Sequence, residues 1–165
     1  MSENYIMLNG KRVDLTDEQL EKLGLKIEKK DYFKRAKFLE HYCAMDMSGR
    51  VVYVREDNAE TDKSRHKIAN YCTDKSLMEQ RALHETLSRL LWRFSMQNDG
   101  DKIDWDDDEQ WKYYIYYDHK DNTYNASYCC MEKHSTCYFY SQAIAKKAID
   151  EIILPFMKEH PEFIW

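Results

Sequence analysis

Glycine and proline are scarce, at four and two residues in a chain of 165. That leaves little room for long linkers or low-complexity tails. It also leaves few glycines for a backbone phosphate cradle, and neither G-x-x-x-x-G-K-[ST] nor G-x-G-x-x-G occurs. H-E-x-x-H is missing too, which removes the simplest zinc-hydrolase signature. No apolar run reaches the length of about 18 residues that a membrane-spanning helix needs. The start, MSENYIMLNGKRVDL, has no basic stretch followed by an apolar one, so no secretory signal and a cytoplasmic location are expected. Five cysteines are an odd number for a disulfide framework and are expected as reduced thiols.

Hydrophobic residues at 43% and charged residues at 33% make the chain globular rather than disordered. Its length fits one α+β domain over residues 1–165, within which residues 1–24 form a hairpin and short helix that can pack as a sub-unit. The formal charge is −5, and it is unevenly placed. Seven carboxylates against one lysine between Asp99 and Glu109 carry −6, so the remainder of the chain is close to +1.

Local signals place the elements. Asn9-Gly10 suits a tight hairpin turn, because both residues tolerate positive φ. Thr16 with Gln19 forms a capping box and Gly24 ends the short helix. Residues 25–35 read as a lysine-rich connector, FLEHYCAM and VVYVRE as a second hairpin, and Asn58 to Asn70 as a polar loop. Thr73 is the expected N-cap of a helix over about 74–98, with Leu77, Leu83, Leu87, Leu90, Leu91 and Phe94 as its buried stripe. WKYYIYYD, TYNASYCCME and TCYFY read as a three-stranded antiparallel meander. Trp111, Tyr113, Ile115 and Tyr117 form its expected core face, with Lys112, Tyr114, Tyr116 and Asp118 opposite. Ser141 caps a last helix over about 142–158, whose apolar stripe is Ile144, Ala145, Ala148, Ile149, Ile152 and Phe156; Pro155 should bend or end it. The expected architecture is an antiparallel sheet packed by two long helices.

Three clusters could carry chemistry. The first is the acidic run Asp99, Asp101, Asp104, Asp106, Asp107, Asp108 and Glu109, with Trp105 inside it. Its carboxylates could imitate a nucleic-acid backbone, which carries one charge per roughly 1.7 Å of duplex axis; equally, they could be a solvated turn. The run lacks the glycine placement and ligand order of a calcium loop. The second is Cys129, Cys130, His134 and Cys137. Strand alternation sends the adjacent cysteines to opposite faces, so a closed zinc site would need Cys43, Cys72 or His41 from elsewhere, and no metal is expected. The third is a cationic face of Arg81, Arg89 and Arg93 which, with outward Tyr114 and Tyr116, could hold nucleic acid. A pI near 5.7 and the neighbouring acid argue against that. Cysteines and six histidines supply parts of a nucleophile–base pair, but in no recognisable catalytic elbow. Neither an enzyme nor a cofactor is expected.

The strings NYCTDKSLMEQRALHETLSRLLWRFS, WKYYIYYDHKDN and YFYSQAIAKKAIDEIILPFMKEHPEF, preceded by LNGKRVDLTDEQLEKLGL, resemble small accessory proteins encoded by phages and prophages of Gram-positive bacteria. The resemblance covers most of the chain, rests on caps, strands and helix stripes, and carries over no catalytic residue. The CC and TC pairs depart from the aromatic residues expected at those places. What the resemblance implies is context, a class in which counter-defence proteins such as anti-CRISPRs are common. Joined to the acidic run, it leads to the expectation of a non-enzymatic protein, in a bacterial host cell, that inhibits a host defence nuclease. An RNA-guided nuclease of the Cas9 type is the concrete partner, engaged by residues 99–109.

Overall fold

The structure is a computed structural model that describes residues 5–24, 31–133 and 137–165. The lysine-rich connector therefore lies partly, and His134 wholly, outside the described residues. The chain forms two compact units, Met1–Tyr32 and Phe33–Trp165.

In the first unit, β1 (Tyr5–Leu8) pairs antiparallel with β2 (Lys11–Asp14). Asn9 and Gly10 have φ of 50° and 77°, the positive pair that a two-residue hairpin turn requires. Helix α1 (Asp17–Lys22) starts on the expected capping box: Gln19 N donates to Thr16 Oγ1 at 3.3 Å, and Thr16 N donates to Gln19 Oε1 at 2.8 Å.

The second unit opens on the hairpin of β3 (His41–Met45) and β4 (Val51–Arg55). Asp46 closes its turn, accepting from Ser48 N, Ser48 Oγ and Arg50 N at 2.8, 2.7 and 3.0 Å. These bonds, that of the Ser48 hydroxyl foremost, hold the carboxyl down at about 2. Residues 58–70, expected as a loop, instead contain helix α2 (Glu60–Lys67). Its one buried residue is Asp62, so it has no apolar period to read. Asp62 Oδ2 accepts from Asp57 N and Ala59 N at 3.1 and 3.0 Å, and Oδ1 accepts from Tyr42 OH at 2.7 Å. Polar bonds, not a greasy face, fasten α2 to β3.

A companion carboxylate, Glu56, is wholly buried. Arg35 donates to both of its oxygens (3.0 and 2.6 Å), Tyr71 OH donates at 2.8 Å and Asn58 N at 2.8 Å. Tyr71 also stacks on Tyr42, with ring centroids 3.8 Å apart. Cys72 continues the pairing along β3, exchanging backbone bonds of 2.7 and 3.0 Å with Cys43.

Helix α3 (Lys75–Gln97) is capped one residue later than expected, by Asp74, whose side chain accepts from Leu77 N. It buries Met78, Ala82, Leu87, Leu91, Phe94 and Ser95, leaves Leu83 and Leu90 half-buried, and leaves Leu77 exposed. Gly100 follows so closely that a Cβ there would lie 2.7 Å from the Ser95 carbonyl carbon and oxygen. Strands β5 (Lys112–Asp118) and β6 (Thr123–Cys129) pair antiparallel. Among the described residues, which leave out Thr136 of TCYFY, the expected third strand is reduced to one bridge, Tyr113 to Phe139, with bonds of 3.0 and 2.7 Å. Ser95 Oγ donates to the carbonyl of neighbouring Tyr138 at 2.5 Å, on the side of that segment turned away from β5. The class is α+β, but among the described residues the strands form three separate two-stranded sheets rather than one.

Helix α4 (Gln142–Ala148) is capped by Ser141 as expected. It passes through a wide turn over Ile149–Ile153, where Leu154 N reaches back five residues to Ile149 O, into α5 (Leu154–Glu159). Pro155 follows directly on this wide turn, and the helix continues past it to Glu159. Leu87, Leu91 and Phe94 of α3 pack on Ile115, Phe139, Ala145, Ala148, Ile149, Ile153 and Phe156 to make the main core. No helix is long and apolar enough to cross a membrane among the described residues.

Replacing Glu56 with Ala should cost about 2–4 kcal/mol in urea unfolding, because Tyr71 and Asn58 N lose their acceptor while Arg35, a third exposed, rehydrates. Glu56, through Arg35 above all, and Asp62, through Tyr42 above all, are held below the ordinary carboxylate range. A depressed folded value means stability that is present above the unfolded values of about 4 and is lost as pH falls through and below them. The urea midpoint should therefore hold from roughly pH 7 to 5 and drop below about pH 4, with a shallower drop in Glu56→Gln; an equal drop in both would contradict the assignment. The five cysteines are free, and all but Cys130 are buried. Burial pushes the Cys43, Cys72 and Cys129 thiols up, and that of Cys137 to about 12. A thiol reagent at neutral pH should find one fast group, Cys130, in native protein and five after denaturation.

Candidate functional site

The acidic run lies between α3 and β5, and its backbone is fixed by its own side chains. Asp99 turns the chain with φ of 64°, and a single 3-10 turn follows over Gly100–Lys102. Gln110 then straddles the base of the loop, accepting from Asp104 N at 2.7 Å and donating to Lys102 O at 3.1 Å. Asp104 Oδ1 accepts from Asp106 N at 2.9 Å; Asp107 Oδ1 accepts from Glu109 N and Gln110 N at 2.9 and 3.1 Å. These are Asx turns, in which the side chain takes the place of a backbone acceptor.

Beneath the loop stands Lys112, and here the structure departs from expectation. Alternation placed Lys112 on the outer face of β5, yet it is fully buried. Its ammonium donates to the carbonyls of Asp107, Gln110 and Cys130 at 2.5, 3.0 and 3.0 Å, so all three protons are used. Trp111, expected in the core, is instead about half exposed (52%) and stacks on Tyr128 with centroids 4.5 Å apart.

The outward carboxylates are therefore presented by a braced loop. Asp99 pairs with Lys102 at 2.8 Å. The side chains of Asp101, Asp106, Asp108 and Glu109 are exposed and make no hydrogen bond or ion pair among the described residues. Trp105 is half-buried, edge-on to Tyr138 at 4.9 Å, with Lys133 Nζ 4.4 Å and Lys112 Nζ 5.4 Å from its ring centre. Tyr138 continues to Tyr114 at 6.2 Å, and Tyr114 to Tyr116 at 6.4 Å. An aromatic track thus leads away from the acid, ending on exposed Tyr116. Lys112, Gln110 and Tyr138 are the residues that sequence reasoning missed. Only Lys112, a lone cation opening an aromatic strand, gave any hint.

The arginine face is drawn together and partly neutralised. Glu85 accepts from Arg81 Nε at 3.0 Å and from Arg89 Nη2 at 2.9 Å. Arg93 is exposed and has no ion pair among the described residues; it lies with Trp92 at an open pocket that also reaches Ser48 and Thr86. Among the described residues no group of three or more His, Cys, Asp or Glu is placed to hold a metal ion. Cys129 is buried against Lys112 O, whereas Cys137 lines a cavity in the main core. Comparison of the chain with protein-family models, with curated proteins and with solved structures finds no match.

Proposed function

We propose that this chain is a non-catalytic binding protein whose 99–109 loop docks, carboxylates first, on a cationic surface of a partner protein. The observation that carries the reading is the brace. Asp101, Asp106, Asp108 and Glu109 project from a loop whose backbone is held by Gln110, by two Asx turns and by the buried Lys112. A loop fixed in advance loses little ordering entropy on association, which a merely solvated acidic turn has no need of. Charge-assisted bonds from arginine or lysine to such carboxylates are the strong kind. The aromatic track from Trp105 to Tyr116 offers apolar contact beside the charge.

The concrete partner we would test is an RNA-guided nuclease of a bacterial defence system, whose DNA-binding groove is lined with arginines. In that setting the loop occupies the groove as a duplex would and is not cleaved. Direct nucleic-acid binding is the weaker reading, because the acid adjoins the exposed tyrosines and Glu85 ties Arg81 and Arg89.

The test is a plasmid-interference assay with the wild type and the Asp104→Asn, Asp106→Asn, Asp107→Asn, Asp108→Asn quadruple variant. Asparagine keeps the Asx turns, so stability should change by no more than about 0.5 kcal/mol, while inhibition is lost. Inhibition should also weaken with salt, since exposed charges are screened over about 8 Å at 0.15 M. A variant that inhibits as well as the wild type would sink the reading. Lys112→Met separates order from charge: the exposed carboxylates stay, the brace goes, and both amide protection of residues 104–110 and affinity for the partner should fall. For duplex DNA at 0.15 M salt, we expect binding no tighter than the non-specific range of about 10⁻⁴–10⁻⁶ M.

A further inference from the structure

Away from the acid, the main core of the second unit is incompletely filled. A half-enclosed cavity of about 200 Å³ lies between α3, β5 and the C-terminal tail. Protein cores are packed as densely as organic crystals, and voids much larger than a water are few. This one is floored by Leu87, Leu91, Ile115 and Phe139, all buried. Phe163 and Trp165 of the tail make one wall. At the mouth, one helical turn apart on α3, stand His84 and Ser88. Both are exposed, and neither side chain has a hydrogen-bond partner among the described residues.

The tail wall is held in place rather than left to collapse inward. Gln80 donates to Glu162 O at 2.7 Å and accepts from Ile164 N at 3.0 Å, gripping the tail backbone as a strand neighbour would. Phe163 is further fixed between His84, at 4.6 Å, and Phe156, at 5.5 Å; Trp165 rests edge-on against Tyr124 at 5.0 Å. The cavity therefore has a rigid apolar floor, two aromatic side chains on one wall and unused polar groups at the entrance.

We infer that this cavity is a binding site for a small planar aromatic molecule, one ring or a fused pair, that carries one hydrogen-bonding group on its edge. Size sets the class: a dry cavity of about 150 Å³ holds benzene, so about 200 Å³ admits a slightly larger ring system and no drug-sized ligand. Shape and lining set the rest. The ring lies among Leu87, Leu91 and Ile115 against the tail aromatics, and its polar edge reaches Ser88 Oγ or the His84 imidazole at the mouth. The site is independent of the acidic loop, so it stands or falls apart from the proposed docking.

The experiment is an NMR titration of the full chain with indole, which has one N–H on its edge, and in parallel with benzene, which has none. Indole should bind saturably at one site, shifting the methyl signals of Leu87, Leu91 and Ile115 and the indole N–H of Trp165. Benzene, smaller and without the N–H, should shift the same signals with at least about tenfold weaker affinity. Ser88→Trp, at an exposed helix position on which no packing depends, should close the mouth and abolish binding with the melting temperature unchanged. Ser88→Ala and His84→Phe together, which keep a ring against Phe163, should weaken indole about tenfold and leave benzene unchanged. The inference is overturned if indole shifts none of these signals, if its shifts gather at Trp111 and Tyr128 instead, or if Ser88→Trp binds as the wild type does. Equal affinities for indole and benzene in the wild type overturn the polar-edged class.

Discussion

A charged side chain taken out of water must have its polar atoms partnered, and the β3–β4 half and the acidic loop of the second unit are arranged around three such side chains among the described residues. Glu56, Asp62 and Lys112 are all buried, and each draws distant chain segments to itself. Glu56 collects Arg35, Asn58 N and Tyr71; Asp62 collects Tyr42, Asp57 N and Ala59 N. The two carboxylates are joined through the stacked rings of Tyr42 and Tyr71, so the hairpin, α2 and the segment before β3 form one polar-cored assembly. Among the described residues its apolar core is small: Tyr42, Ala44 and Tyr71 with Ala36 and Val54 beside them. Leaving any of its polar groups unpartnered is costlier than the net gain of each bond, so these networks give geometric uniqueness more than raw stability.

Lys112 solves the opposite problem. Where the carboxylates gather N–H and O–H donors, its ammonium gathers three carbonyls, two of them from the acidic loop itself. A loop of net charge −6 would spread if its backbone were free. A cation fixed below it lowers that repulsion while leaving the outer carboxylates unneutralised by contact. The charge that folds the loop and the charge that it displays are thus separate, and that separation is what the proposed docking depends on.

How much of this could be read beforehand follows from the range of each interaction. Asn9-Gly10, the Thr16 capping box and the Ser141 cap were legible because each device is complete within four residues. The buried stripes of α3 and the last helix were legible in outline because a helix repeats its face. Helix α2 was hidden because its anchor, Asp62, finds its partner Tyr42 twenty residues away, and no local pattern announces that. Thr73 lost the cap of α3 to the acid beside it, a one-residue ambiguity that two adjacent cap formers always leave. The third strand, among the described residues, shrank to the single bridge of Tyr113 to Phe139, and nothing local in TCYFY marks where pairing stops. The acidic run was identified by composition alone, but whether it was ordered depended on Lys112 and Gln110, which composition treats as ordinary surface residues.

Alternation along β5 shows most clearly why such readings break at a site. The rule that polar side chains face water assumes that water is what lies above the strand. Above Lys112 lies a folded loop, so the outward face is an interior there, and a charged residue suits it because the ceiling is made of carbonyls. Two residues on, Tyr114 is half-buried beside Tyr138, and at Tyr116 the same face reaches solvent. One strand face therefore grades from a buried cation through packed aromatics to an exposed ring within five residues, with the acid at its closed end. A sheet that served only as a core cover would have no reason to hold a lysine there, since a leucine under a shorter turn would do. The lysine suits the carbonyls of the loop above it, and the docking we propose would use what that braced loop displays.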